Sequence, residues 1–164
     1  MSSPTLLLNE YFLTRLAVDY GFPGTGPNRD VASVNSSFNY EVLTHQDDAR
    51  QRQLQLQLEF QELDEKQQPI GYHIQCEMVG FFSFTETTPK GKEEVVIRVN
   101  GLNLLYGALR GVFATTMAVF PGGRFSLPNI MPNEIVADIE KQRAAANAKA
   151  KAASEAGPAT PATS

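Results

Sequence analysis

Cysteine is nearly absent from this chain: Cys76 is the only one in 164 residues. No disulfide can close within the chain, and a sequence without a disulfide framework suits a reducing, cytoplasmic setting. Histidine is almost as scarce, with His45 and His73 alone. His45 lies in a polar turn beside Asp47 and Asp48, but zinc asks for three protein ligands or more and a third is missing. His73 alternates outward on an expected strand and reads as solvated. Cys76 falls on the apolar side of that strand and reads as a small buried hydrophobe, not a nucleophile. Gly24, Thr25 and Gly26 lack the Lys-Ser/Thr of a phosphate loop. Glu93 and Glu94, adjacent in an expected turn, point apart and do not form a working carboxylate pair. No catalytic residue, metal or cofactor is expected.

Basic charge is also short. Lys and Arg number 14 against 18 Asp and Glu, a net of −4. A phosphate backbone asks for a clustered basic face, so nucleic acid is not an expected partner. The first ten residues, MSSPTLLLNE, have no basic run and no long apolar core, unlike a secretory signal. Residues 102–120 are nearly all apolar or small. Arg110 at their centre would cost about 2.5–3.5 kcal/mol in a bilayer, and Asn103, Thr115 and Thr116 add to it. A helix buried in an oligomer is expected there, not a membrane span.

What is present is alternation. In 51–63, Leu54, Leu56, Leu58 and Phe60 take even positions, while Gln51, Gln53, Gln55, Gln57, Glu59 and Gln61 take odd ones. Period two predicts a strand with one dry and one wet face. The parity continues through 70–86, with Ile70, Tyr72, Ile74, Cys76, Met78, Phe82 and Phe84 on the dry side. Val79 and Phe81 break it by placing apolar groups on the wet face, which marks a contact surface. Residues 31–44 alternate too, and 11–18 are rich in strand formers. The segment 21–28, GFPGTGPN, is a loop, and 88–94 a polar turn.

A helix is expected over about 101–119. Leu102, Leu105, Leu109, Val112, Phe113 and Thr116 form a bulky stripe. Gly107, Gly111, Ala114 and Ala118 form a small one, where another backbone can approach; they are the expected oligomer interface. The segment 120–132 reads as an extended loop carrying Phe120, Phe125, Leu127, Ile130 and Met131. Asn133 can cap a second helix, with Glu134 in its first turn. The tail beyond it is rich in alanine and then frays. The expected organisation is a domain over 1–147 and a flexible tail over 148–164. The residues thus predict an α+β chain: a four-stranded antiparallel sheet followed by two helices.

Two stretches resemble the SecB family of export chaperones. Gln75 to Phe84, QCEMVGFFSF, is similar to the family's fourth strand, with Gly80-Phe81-Phe82-Ser83-Phe84 as its glycine–aromatic run. The second is Asn103-Leu104-Leu105-Tyr106-Gly107-Ala108-Leu109-Arg110 with the loop from Gly122 to Pro132. It resembles the family's helix opening and the Gly/Pro-rich connection to its last helix. The resemblance implies an ATP-independent holdase, assembled as a dimer of dimers with the first helices sandwiched between subunit pairs. Unfolded or preprotein clients would lie extended in an apolar groove. The residues expected to contact them are Val79, Phe81, Phe120, Phe125, Leu127, Ile130 and Met131. The competing reading of the loop residues is that they cover the chain's own sheet. Gly107 stands where the family has proline, and Gln75 where a strand glutamate docks the export ATPase. Leu16 and Tyr20 stand where acids of the first strand are expected, so that ATPase is a weakened expectation among the partners. A dedicated chaperone for one partner, such as an antitoxin, and a small-ligand domain are the alternatives.

Overall fold

The computed structural model describes residues 4–21 and 30–120. Beyond them it describes 125, 127, 134, 136, 137, 139–141 and 143–145. Four strands come first: β1 (Leu6–Tyr20), β2 (Ser33–Thr44), β3 (Gln51–Leu63) and β4 (Pro69–Phe84). They form one antiparallel sheet in the order β1-β4-β3-β2, with β3 and β4 at its centre. A long helix, α1 (Glu93–Val119), follows, and the described residues from 134 to 145 are helical as well.

The two central strands obey their alternation. Leu54, Leu56, Leu58 and Phe60 of β3 are buried, as are Tyr72, Ile74, Cys76, Met78, Phe82 and Phe84 of β4. Their odd-numbered neighbours lie half-buried or exposed on the opposite face, except Gly71 and Val79, which are buried there too. Asp64 closes the β3–β4 hairpin: its Oδ1 accepts the backbone N–H groups of Lys66 and Gln68, each at 2.8 Å. Strand β1 shows no such clean parity because it is bulged twice, between Leu8 and Glu10 and between Leu13 and Arg15. Each bulge adds a residue and flips the face of everything after it. The core-facing set is therefore Leu6 and Leu8, then Leu13, then Leu16, Val18 and Tyr20.

Helix α1 begins eight residues earlier than the spacing predicts. Glu93 and Glu94 form its first turn, where carboxylates complement the helix dipole. They are not in an extended turn. The helix then widens into a π turn over Ile97–Gly101 before the regular stretch Leu102–Thr116. The wide turn sets both Ile97 and Leu102 onto the sheet, at 0% and 4% exposure. Any Cβ on Gly101 would meet Ile97 Cδ1 at 2.8 Å. The buried stripe is Leu102, Leu105, Tyr106, Leu109 and Phe113, with Met117 below it. Tyr106 and Met117 take the central places that the spacing gave to Val112 and Thr116, which sit only partly buried at the flank. At Gly80 the helix packs tightly on the sheet: a Cβ there would stand 2.9 Å from Leu105 Cδ1 and 2.8 Å from the Phe82 ring.

Candidate functional site

The sheet presents two surfaces, and the sequence-derived residues divide between them. On the dry side, Phe125 and Leu127 are buried, at 7% and 5% exposure. The Phe125 ring lies 5.6 Å from that of Phe60 and 6.2 Å from that of Tyr72. These two residues thus join the chain's own core and are not freely exposed on a surface loop. Phe120 is partly buried against the same core. Ile130 and Met131 lie outside the described residues, as does Asn133. Beside Phe125 and Leu127, a cavity of about 110 Å³ opens between the loop and α1, its other walls being Arg110, Phe113 and Ala114. Ala114 therefore faces that cavity. Gly107, Gly111 and Ala118 lie on the exposed side of the helix, where a Cβ on either glycine would meet nothing within 4 Å. Leu104 and Val119, 43% and 83% exposed, extend that apolar face.

The described helical residues near the C-terminus are held by a polar clasp. Tyr40 Oη donates to Glu140 Oε1 at 2.8 Å, and Arg98 pairs with the same carboxylate at 3.2 Å. Arg143 donates to Asn39 Oδ1 at 2.9 Å and to the Tyr40 carbonyl, while its guanidinium lies over the Tyr40 ring. Burial, reinforced by the bond to Glu140, pushes the Tyr40 phenol up to about 12. Ile139 is buried beside the clasp.

On the wet side, Val79 and Phe81 do stand together, and they have a companion. Phe12 of β1 pairs with Val79 across the ladder, and its ring packs edge-on against Phe81 at 6.1 Å. Phe12 and Phe81 remain 53% and 38% exposed, and Leu7 is exposed on the same face. Phe12 escaped the sequence reading because the bulge between Leu8 and Glu10 hides which side it takes.

Apart from this patch and Leu43 of β2, exposed in line with Phe81, the wet face is mostly polar and hydrogen-bonded. Gln55 and Thr14 donate to Glu77, at 2.6 and 3.2 Å. Arg15 donates to Gln75, and Gln75 to Glu59, both at 3.1 Å. His73 Nε2 lies 2.7 Å from Glu59 Oε1. That bond, with the one from Gln75, holds the Glu59 carboxyl below its ordinary range. A shallow depression of about 280 Å³ runs between Arg15, Asn39, Gln57, Glu59 and Glu77. Leu16 and Tyr20 face the core instead, Tyr20 stacking 4.9 Å from Tyr72. The outward positions of β1 are thus Arg15, Ala17 and Asp19. Burial raises the Cys76 thiol to about 12, an inert side chain at neutral pH. Among the described residues no three His, Cys, Asp or Glu side chains gather closely enough to hold a metal ion.

Neither a family model nor any curated protein matches the sequence. A solved structure does match the fold: a SecB-like chaperone of Mycobacterium tuberculosis in complex with a ChAD peptide from the HigA1 antitoxin. The two share 13% identity and a TM-score of 0.55, over 77% of this chain and 91% of the chaperone. The fold is SecB-like. A protein of unknown function from Streptococcus agalactiae is also similar, at 10% identity and a TM-score of 0.44, over 78% of this chain and all of that one. In the SecB-like frame, the helix–loop cavity and the Phe12–Phe81 patch occupy opposite faces of one four-stranded sheet.

Proposed function

We propose that this chain is a non-enzymatic, ATP-independent chaperone that holds unfolded polypeptide on apolar surface and works as a homo-oligomer. The observation that carries the reading is the SecB-like fold, shared with a chaperone whose structure contains a bound peptide. Two local features support it. Large apolar side chains (Phe12, Phe81 and Leu7) stay exposed on a strand face that is otherwise mostly polar. A promiscuous holdase needs such area, because its clients share only exposed hydrophobic side chains. On the dry side Phe125 and Leu127 contact a client as walls of the helix–loop cavity, and Phe120, Ile130 and Met131 are further client contacts proposed from their sequence alone. Preproteins bound for export are one client class. A single dedicated partner is the second reading, favoured by the antitoxin peptide in the structural neighbour.

The test is suppression of aggregation, without nucleotide, of several unrelated denatured proteins. The expected result is protection of all of them by the wild type. Phe12→Ser with Phe81→Ser should protect several-fold less well with an unchanged circular dichroism spectrum, because burying one such side chain contributes about 1.5–3 kcal/mol. A wild type that protects none of them sinks the holdase reading. Protection of one substrate alone moves the function to a dedicated partner.

A further inference from the structure

Strand β2 is the less guarded edge of the sheet. Edge strands are blunted by bulges, prolines or charges that stop another chain from pairing with them. At the opposite edge β1 is bulged twice. β2 keeps an unbroken register with β3 over Ser33–Thr44, has no proline or lysine, and carries Glu41 as its one charge. Its backbone groups can be assigned to sides. One step beyond the Thr44–Arg52 pair, His45 donates its backbone N–H to the Gln51 carbonyl at 3.3 Å. Bonded pairs alternate along an antiparallel ladder. The odd-numbered residues of β2 therefore bond to β3, and the even-numbered ones turn their N–H and C=O groups outward. On the dry side of this edge Val34 is 42% exposed, and Phe38 and Val42 are only partly buried. An extended chain of alternating apolar and polar residues matches both features, its main chain pairing with the outward groups and its apolar side chains joining the dry side.

Among the described residues, one side chain reaches the outward row. The Arg143 guanidinium donates to the Tyr40 carbonyl, lies 4.8 Å from the centre of the Tyr40 ring, and is braced by a bond to Asn39 Oδ1 at 2.9 Å. An incoming strand needs that same carbonyl and the space the guanidinium fills.

We propose that Arg143 is an autoinhibitory guard on β2: it closes this edge in the resting chain and is displaced when an extended client segment pairs with the strand. This deepens the chaperone reading and rests on it, adding a contact that must break before a client is held there. Displacement needs no nucleotide. Arg143 is exposed, and the partners it leaves are an amide oxygen, a carbonyl and a ring face, whose hydrogen bonds water can replace.

Calorimetry with a soluble peptide of alternating leucine and serine tests it, beside the same peptide N-methylated at every second residue. Methylation keeps the side chains and removes the main-chain donors of one edge. The wild type should bind the methylated peptide several-fold more weakly. Arg143→Met, which keeps the aliphatic stem, should bind the unmethylated peptide about two- to tenfold more tightly than the wild type, the range of one hydrogen bond removed from the competing closed state. Asn39→Ala removes the brace at an exposed position and should shift affinity the same way by less. Neither gain should appear with the methylated peptide. Circular dichroism and melting temperature report that each variant is folded, and if Arg143→Met is not, Asn39→Ala decides. Equal binding of the two peptides overturns pairing at the edge. Unchanged or weaker binding by both variants overturns the guard. A variant that gains mass in sedimentation without gaining peptide affinity gives the edge to a second copy of the chain and overturns the client as its occupant. Suppression of aggregation on the same samples reports the chaperone reading separately: protection without peptide binding overturns this inference alone, and neither protection nor binding overturns both.

Discussion

Glycines in this chain do opposite things at two positions. At Gly80 the missing Cβ is what lets α1 approach β4, with Leu105 Cδ1 and the Phe82 ring both inside 3 Å of where it would lie. Leu105 and Phe82 are at most 1% exposed, so neither has room to swing aside. Gly80→Ala is expected to cost about 1–3 kcal/mol by overpacking. In a domain of this size each kcal/mol lowers the melting temperature by about 2–4 °C, and a thermal melt checks it. At Gly111 the same addition meets nothing within 4 Å, so Gly111→Ala should leave the single chain as stable or slightly more so, by helix propensity. A matching loss at both sites would mean that the contacts with Leu105 and Phe82 do not set the cost at Gly80.

Among the elements, the C-terminal helical segment depends most on polar contacts. Ile139 is buried and Val136 packs against the core, but the clasp of Tyr40, Glu140, Arg98, Arg143 and Asn39 fixes its position. Tyr40→Phe keeps the ring and removes only the bond to Glu140. The expected loss is about 1 kcal/mol, at the low end for a bond to a carboxylate because Glu140 is partly solvated. The pH dependence has a definite sign. The phenol is raised from 10.0 to about 12 in the folded protein, so its contribution is whole below pH 10 and fades as pH rises toward 12. Urea unfolding at pH 8 should separate wild type from Tyr40→Phe, and the gap should close in that alkaline window. No gap at pH 8 would mean that the hydroxyl bond contributes nothing to stability, and a gap unchanged through the alkaline window would mean that folding does not raise the phenol's pKa.

For the molecule as a whole, the open question is what covers the outer side of α1. Within Glu93–Val119 an 18-residue window has a mean hydropathy of 1.2, enough to pass for a membrane span, yet only 33% of that window is buried. Arg110 argues against hydrocarbon. The exposed run of Leu104, Gly107, Gly111 and Ala118 fits close packing of a second helix, as the proposed oligomer requires. Gly111→Leu is therefore expected to shift sedimentation toward smaller species while leaving the circular dichroism spectrum intact. A wild type that sediments as a monomer at micromolar concentration removes the oligomer from the proposal.

The sequence by itself determined the parts of the molecule governed by a single period. The strict alternation in 51–63 and 70–86 places the two central strands, their dry face and the outward step at Val79 and Phe81, because a side chain in an unbroken strand has only two directions to take. The three-and-four spacing after Leu102 likewise places the buried side of α1 to within one residue of the observed stripe. Only the tertiary structure decided the rest. The two bulges of β1 flip its faces, so Phe12 turns outward and Leu16 and Tyr20 inward, against the local pattern. The π turn at Ile97–Gly101 carries the helix back to Glu93, into residues whose spacing alone predicts a polar turn. Phe125 and Leu127 sit in a segment that any local rule assigns to the surface, and they are buried because Phe60 and Tyr72, more than fifty residues earlier, leave a dry face that needs covering.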